Sequence, residues 1–417
     1  MKLKIENIGK IRQAEIKIDG LTLIAGTNAT GKSTIGKSLF SIFNSFYKVN
    51  QTYRKYKEEA IDKRIRDLDD YLDLFIFSED SIDATALLNS LLSASNSNDI
   101  QKVFDRFNLD GRLGREEYNK LFSEIEKINN TTIEQVLYDT VDKNFFAEFS
   151  GNINNVTLSD KVGSLNLIIK ENSINLRFLK NNLIQILNYF SLNYIPIYID
   201  DAFIVDSYNF DNNYPNEIFF PRYEFKNERT HRQVLLSQYS KSTPENPIDN
   251  IIIKSNLQIV YDKLSKVLDD LSGISYSYYN KNDGKPTLSI NNLSSGMKSF
   301  YLLKKLLDNG SIVENSPVIL DEPENHLHPE WQLILAEIII LLQKELSLHF
   351  LINTHSPYFL RAIEVYADKY QINHKINYYE ARQSDEFYSV IEQVDETRKI
   401  YKSLAAPLKT IELERGL

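Results

Sequence analysis

Nine residues, GTNATGKST at 26–34, limit what this chain can be more than any others. They follow an apolar run, LTLIA (21–25), and precede IGKSLFSIFNSFYKV, whose apolar residues recur at helical spacing. Gly26, four residues, Gly31, Lys32 and Ser33 fit G-x-x-x-x-G-K-[ST]. Glycines let the backbone turn so that its N–H groups face phosphate oxygens. The helix that follows adds its positive end. Within Gly26, Asn28, Ala29, Thr30, Gly31, Lys32, Ser33 and Thr34, the lysine is placed for the β- and γ-phosphates and the Ser33 hydroxyl for Mg²⁺. A strand before and a helix after make this a phosphate loop and not a small-residue turn.

A second motif sits near the other end. In SPVILDEPENHLHPE (316–330) an apolar strand ends in Asp321-Glu322. A strand end delivers side chains to the carboxyl edge of a sheet, beside a phosphate loop. Asp321 suits the Mg²⁺ shell, and Glu322 suits orienting or deprotonating an attacking water. His326 and His328 lie in the same stretch without thiolates or H-E-x-x-H spacing, so a loop or partner-contact role is expected of them.

The remaining chain surrounds these motifs. The N-terminal KLKIENIG and AEIKID alternate as strands. Residues 53–72 read as a charged helix, with EEYNKLFSEIEKI (116–128) and NSINLRFLKNNLIQILNYF (172–190) as further helices. Hairpin material is expected within 148–173 and, around Asn-Asp-Gly, within 275–290. IPIYIDDAFIVD (195–206) reads as strands or a bent strand, and the tail 395–415 as helical. The organisation is an α/β nucleotide domain in two lobes, 1–50 and 251–417, split by a mainly helical insertion over 51–250.

Composition narrows the partners. With 48 Lys+Arg against 57 Asp+Glu the net charge is −9, which argues against general coating of nucleic acid. The absence of cysteine removes disulfides, thiolate zinc sites and cysteine nucleophiles. LILAEIIILL (333–342) is too short to span a bilayer and carries Glu337, so no membrane partner and a cytoplasmic location are expected.

The motifs together resemble the ATP-binding-cassette type of ATPase, in its SMC-like, DNA-repair and OLD-family branch. Residues 26–33 resemble its Walker A, LSSGMK (293–298) its signature, VILDEPENHLHP (318–329) its Walker B with the flanking D-loop, and INTHSP (352–357) its switch histidine. The resemblance implies an ABC-type head with a mixed sheet, and hydrolysis of ATP to ADP and phosphate with Mg²⁺. It implies Glu322 as general base, His355 as γ-phosphate sensor, and Ser294 and Gly296 touching the nucleotide of a second copy, so that ATP bridges a homo-oligomer. Ser295 and Met297 depart from the usual signature, and Glu79 is the candidate for the segment that senses Mg²⁺.

Similar short ATPases are components of bacterial anti-phage systems with a separate effector, which is the expected role. The alternative is a repair or recombination ATPase that binds DNA through Arg54, Lys55, Lys63 and Arg64, or through the second basic patch at 225–233. A transporter motor is disfavoured by the large insertion. The tail after INTHSP is too short for the nuclease domain of OLD proteins.

Overall fold

The structure is a computed structural model and describes residues 1–68, 82–207, 230–242, 247–268, 275–277, 287–406 and 414. Alternation at the start produces β1 (Lys2–Ile8) and β2 (Ile11–Lys17), which bury Leu3, Ile5, Ala14 and Ile16. The next strand, β3 (Leu21–Gly26), is buried at every position and leads through the phosphate loop into α1 (Lys32–Ser45). Among the described residues six helices follow: α2 (Val49–Arg66), α3 (Ala84–Ser93), α4 (Ser97–Arg106), α5 (Leu109–Arg112), α6 (Arg115–Asn130) and α7 (Ile133–Phe149). Then come β4 (Gly163–Ile169), β5 (Asn172–Leu179), β6 (Asn182–Asn188) and β7 (Ile197–Ile199), and the helices α8 (His231–Tyr239), α9 (Pro247–Asn256) and α10 (Gln258–Leu268). The chain continues through β8 (Ser275–Ser277), β9 (Thr287–Ser289), α11 (Ser295–Asp308), β10 (Pro317–Asp321), α12 (Pro329–Leu346) and β11 (His349–Thr354). It ends with α13 (Pro357–Lys369), β12 (Ile376–Gln383), β13 (Ser389–Gln393) and α14 (Arg398–Leu404).

Contacts divide the chain into two compact units. The larger, 1–45 with 141–190 and 194–417, holds an 11-stranded sheet in the order β6-β5-β4-β1-β2-β13-β12-β3-β11-β10-β7. β12, β3, β11, β10 and β7 run parallel, and strands buried on both faces read as continuous apolar runs. The β1–β2 pair and β4–β6 form the antiparallel side. One face of the parallel strands carries Leu21, Leu23, Val318, Leu320, Phe350 and Ile352 into a core shared with α10–α13.

The smaller unit is 46–140 with 191–193. Ile61 and Ile65 of α2, Leu87 and Leu91 of α3, Ile100 and Phe104 of α4, and Leu121 and Ile125 of α6 form its core. This unit is tighter than the insertion over 51–250 expected from composition, because 163–188 pair into the sheet of the larger unit through Leu3↔Leu167 and Ile5↔Leu165.

Residues 172–190 are a strand pair and not the expected helix. Lys180 (φ 51) and Asn181 (φ 67) are both left-handed, the signature of a two-residue hairpin turn closed by Leu179↔Asn182. Alternation buries Ile174, Leu176 and Phe178, and the apolar residues beyond the turn continue a spacing that also matches a helix. β8 and β9 pair in parallel, so 275–290 is not the expected hairpin; its Asn-Asp-Gly lies outside the described residues.

Glu337 interrupts the apolar face of α12 for a reason. Its carboxylate accepts from Lys263 of α10 at 2.5 Å, Lys369 of α13 at 2.8 Å and the Tyr370 hydroxyl at 2.6 Å. Burial alone would raise its pKa, but these three bonds win and bring it down to about 2. Its stabilisation is therefore complete above the ordinary carboxylate range and is lost as pH falls toward 2. Glu337→Ala should lower stability by about 1–3 kcal/mol at pH 7, less than a fully enclosed pair because the exposed Lys369 regains water. Urea midpoints at pH 7 and pH 3 check this, the gap between variant and wild type narrowing at the lower pH.

Candidate nucleotide site

Strand register brings the site together. Asp321, the last residue of β10, pairs with Asn353 of β11; Asn353 and Thr354 pair with Ile24 and Ala25 of β3; Gly26 pairs with Ala381 of β12. The phosphate loop, the Asp321-Glu322 pair and the His355 turn thus leave the sheet at one carboxyl edge, where doubly wound sheets bind ligands.

Asn28 to Thr34 line an open concavity together with Lys10 and Glu322. Gly31 has φ 81, a backbone that only glycine adopts without strain, and Thr34 N–H donates to its carbonyl at 3.0 Å. Ser33 is exposed at the mouth, and Thr30 is buried with its hydroxyl on the Thr27 carbonyl at 2.8 Å. Lys32 is 5% exposed. Its ammonium donates to the Gly26 and Thr27 carbonyls at 3.0 and 2.9 Å. Burial pushes its pKa down, and Glu322, Asp321 and Glu324 push back. An ammonium held on backbone carbonyls beside three carboxylates is ready to exchange the carbonyls for phosphate oxygens.

Asp321 is fixed from both sides. Asn353 donates to Oδ1 at 3.0 Å and the buried Tyr198 hydroxyl to Oδ2 at 3.4 Å. Glu322 has a left-handed backbone, φ 52, and its N–H donates to the Asn353 carbonyl at 2.9 Å. A bulky residue in that region is strained, and such strain gathers at functional sites. The Glu322 carboxylate meets His355 Nδ1 at 3.2 Å through one oxygen and accepts from Asn325 at 3.0 Å through the other.

The signature residues stand apart from this concavity. Ser294 caps α11, accepting from Met297 N–H at 3.3 Å, and is exposed. Gly296 is buried, and a Cβ there would fall 2.9 Å from the Trp331 ring, so its smallness serves packing. His326 sets its ring edge-on to Phe203, and His328 precedes α12 with its carbonyl accepting from Trp331 and Gln332. Glu79 and most of 225–233 lie outside the described residues.

Several residues that the sequence did not single out support the site. Glu324 is 4% exposed and bonds to 354–356. Tyr198 stacks on His231 with ring centroids 4.2 Å apart. His231 lies between two carboxylates, with Nδ1 2.6 Å from Glu148 and Nε2 3.0 Å from Asp200, which also holds Arg232 at 2.6 Å. None of these pairs is near in sequence, so spacing gives no signal for them.

A mixed sheet whose parallel strands present a phosphate loop, an Asp-Glu pair and a histidine turn at one edge defines an ABC-type ATPase domain. The family described as "AAA domain, putative AbiEii toxin, Type IV TA system" matches residues 21–361, and the chain belongs to that family. Solved structures similar to it are an SMC head domain from Thermotoga maritima (11% identity, TM-score 0.35, 95% of this chain and 98% of that one) and an SMC head bound to the C-winged helix domain of ScpA (9%, 0.37, 96% and 98%). A third is an SMC head with an extended coiled coil bound to the C-terminal domain of ScpA, derived from Pyrococcus furiosus (11%, 0.29, 99% and 98%). No helix among the described residues is long and apolar enough to cross a membrane.

Burial alone would lower the pKa of His231, but the hydrogen bonds that its ring donates to Asp200 and Glu148 overcome it and raise it to about 8. The stabilisation is complete below the ordinary histidine value and is lost as pH rises through 8. The larger unit should therefore lose about 2 kcal/mol between pH 6 and pH 9 from this group, at about 1.4 kcal/mol per pKa unit. His231→Gln should flatten that slope in urea titrations.

Proposed function

We propose that this chain binds ATP with Mg²⁺ and hydrolyses it, and that ATP bridges two copies so that assembly reports or resets a state. The observation that carries this reading is the convergence of Lys32 and Glu322 on one concavity at the strand edge, with His355 against the Glu322 carboxylate. The loop N–H groups from Asn28 to Thr34 and the Lys32 ammonium bind the triphosphate. Ser33 and Asp321 would hold Mg²⁺, which when bound neutralises charge on the β- and γ-phosphates. Their fit rests on an exposed hydroxyl in the loop and a carboxylate oriented by Asn353 and Tyr198.

Glu322 takes a proton from the attacking water, which bonds to the γ-phosphorus as the bond to the β–γ bridging oxygen breaks and ADP leaves. His355 Nδ1 rests against Glu322 Oε1, and a shift of the ring toward a γ-phosphate would free the base. Ser294 and Gly296 are proposed to meet the nucleotide of a second copy. What supports this is an exposed cap opening a 14-residue helix outside the chain's own phosphate concavity.

The broader role we infer is that of a sensor and scaffold in bacterial anti-phage defence, acting with a separate effector chain in the cytoplasm. Membership of a family described by a toxin–antitoxin system is compatible with a paired arrangement. Direct DNA binding by α2 has less support, since Lys55, Arg64 and Arg66 pair with Glu59, Glu124 and Asp62.

Light scattering and phosphate release with Mg²⁺-ATP test the reading. Glu322→Gln should keep ATP affinity, lose about 10²–10⁴-fold in turnover and form a larger species. Lys32→Ala should lose at least about tenfold in ATP affinity and form none. Size independent of ATP in both would reject the bridge, and absence of ATP binding by the wild type would reject the whole reading.

A further inference from the structure

One carboxylate in the site has no role in the chemistry above. Glu324, three residues beyond Asp321, is buried; the Lys32 ammonium acts on it through space, and His355 Nδ1 lies 3.8 Å away. A lone buried carboxylate is costly unless it is hydrogen-bonded. Here a single oxygen, Oε1, accepts from the Thr354 hydroxyl at 2.5 Å, the His355 N–H at 3.1 Å and the Ser356 N–H at 3.2 Å. Burial raises its pKa, and these donors oppose the rise.

All three donors belong to the turn that carries the His355 side chain. That turn joins β11 to α13, and Ser356 caps α13 by accepting from Phe359 N–H at 3.2 Å. Its backbone N–H groups at 355 and 356 are committed to Glu324, so the position of His355 is tied to the Glu322–His328 loop as well as to its own strand. Glu322 belongs to the same loop. Glu324 therefore links the loop that carries the base to the turn that carries the histidine, whose Nδ1 stands 3.2 Å from Glu322 Oε1.

We propose that Glu324 is a positioning residue for His355, and through it for Glu322, in the hydrolysis of ATP. It touches neither phosphate nor water. It fixes the turn from which His355 moves between Glu322 and the γ-phosphate. The proposal rests on the ATPase reading above. Loss of such positioning slows the chemical step without weakening nucleotide binding, because the groups that donate to Oε1 all lie at 354–356, outside the phosphate loop.

The experiment measures kcat and KM for ATP, and affinity for a fluorescent ATP analogue, in wild type, Glu324→Ala, Glu324→Gln, His355→Ala and the double variant Glu324→Ala/His355→Ala. Glu324→Ala should lower kcat about tenfold to a hundredfold with affinity unchanged. Glu324→Gln, which offers a carbonyl oxygen to the same donors, should restore most of it. The double variant should be no slower than His355→Ala alone, since residues acting as a unit are not additive. Additive losses, or kcat and affinity falling together, would overturn the proposal. If Glu324→Ala does not fold, Thr354→Val decides: it must lower kcat alone and add nothing to His355→Ala. A wild type without turnover removes the ATPase reading itself, whereas a turning-over wild type with an unaffected Glu324→Ala removes only this one.

Discussion

β11 lies between β3 and β10, and the register of those two parallel pairings decides where every reactive group stands. Asn353 pairs with Asp321 on one side and with Ile24 on the other. It also donates its amide to Asp321 and its carbonyl accepts from Glu322. A slip of one residue would turn the inward side chains of β11 to the opposite face and withdraw both bonds. The apolar core shared by Leu23, Leu320 and Ile352 makes such a slip costly, so hydrophobic packing enforces the geometry of a polar site.

Polar groups at this edge are held by partners that are themselves buried. Tyr198 reaches Asp321, His231 stacks on Tyr198, and Glu148 and Asp200 enclose His231. Each carboxylate on its own would be unfavourable there; joined to a protonated imidazole they become a rigid support. The same logic governs Glu337, whose ammonium and hydroxyl partners come from helices on either side of α12.

What could be read from the amino-acid order follows from how local each interaction is. The phosphate loop was legible because its chemistry lies within nine consecutive residues and the flanking strand and helix are plain. Asp321, Glu322 and His355 were legible as polar residues ending apolar strands. Glu324 was visible within DEPEN but its purpose was not, because its donors lie thirty residues on and meet it only through strand register. His231 and Tyr198 gave no sign for the same reason. Residues 172–190 misled because a turn of Lys180 and Asn181 contains no glycine, and leucines and isoleucines on both sides satisfy helical spacing as well as alternation.

The order of strands in the sheet differs greatly from their order in the chain. β3 pairs only with β11 and β12, which arrive more than three hundred residues later. During synthesis Leu21–Gly26, buried along its whole length in the finished sheet, has no strand neighbour until residues 349–381 have left the ribosome. The candidate nucleotide site therefore forms late, since long-range parallel pairing is slow to close. An early fragment carries the complete phosphate loop yet no frame to hold it, together with an exposed apolar strand that invites aggregation or chaperone capture. The candidate site thus waits for residues 349–381, whatever the state of the loop that they frame.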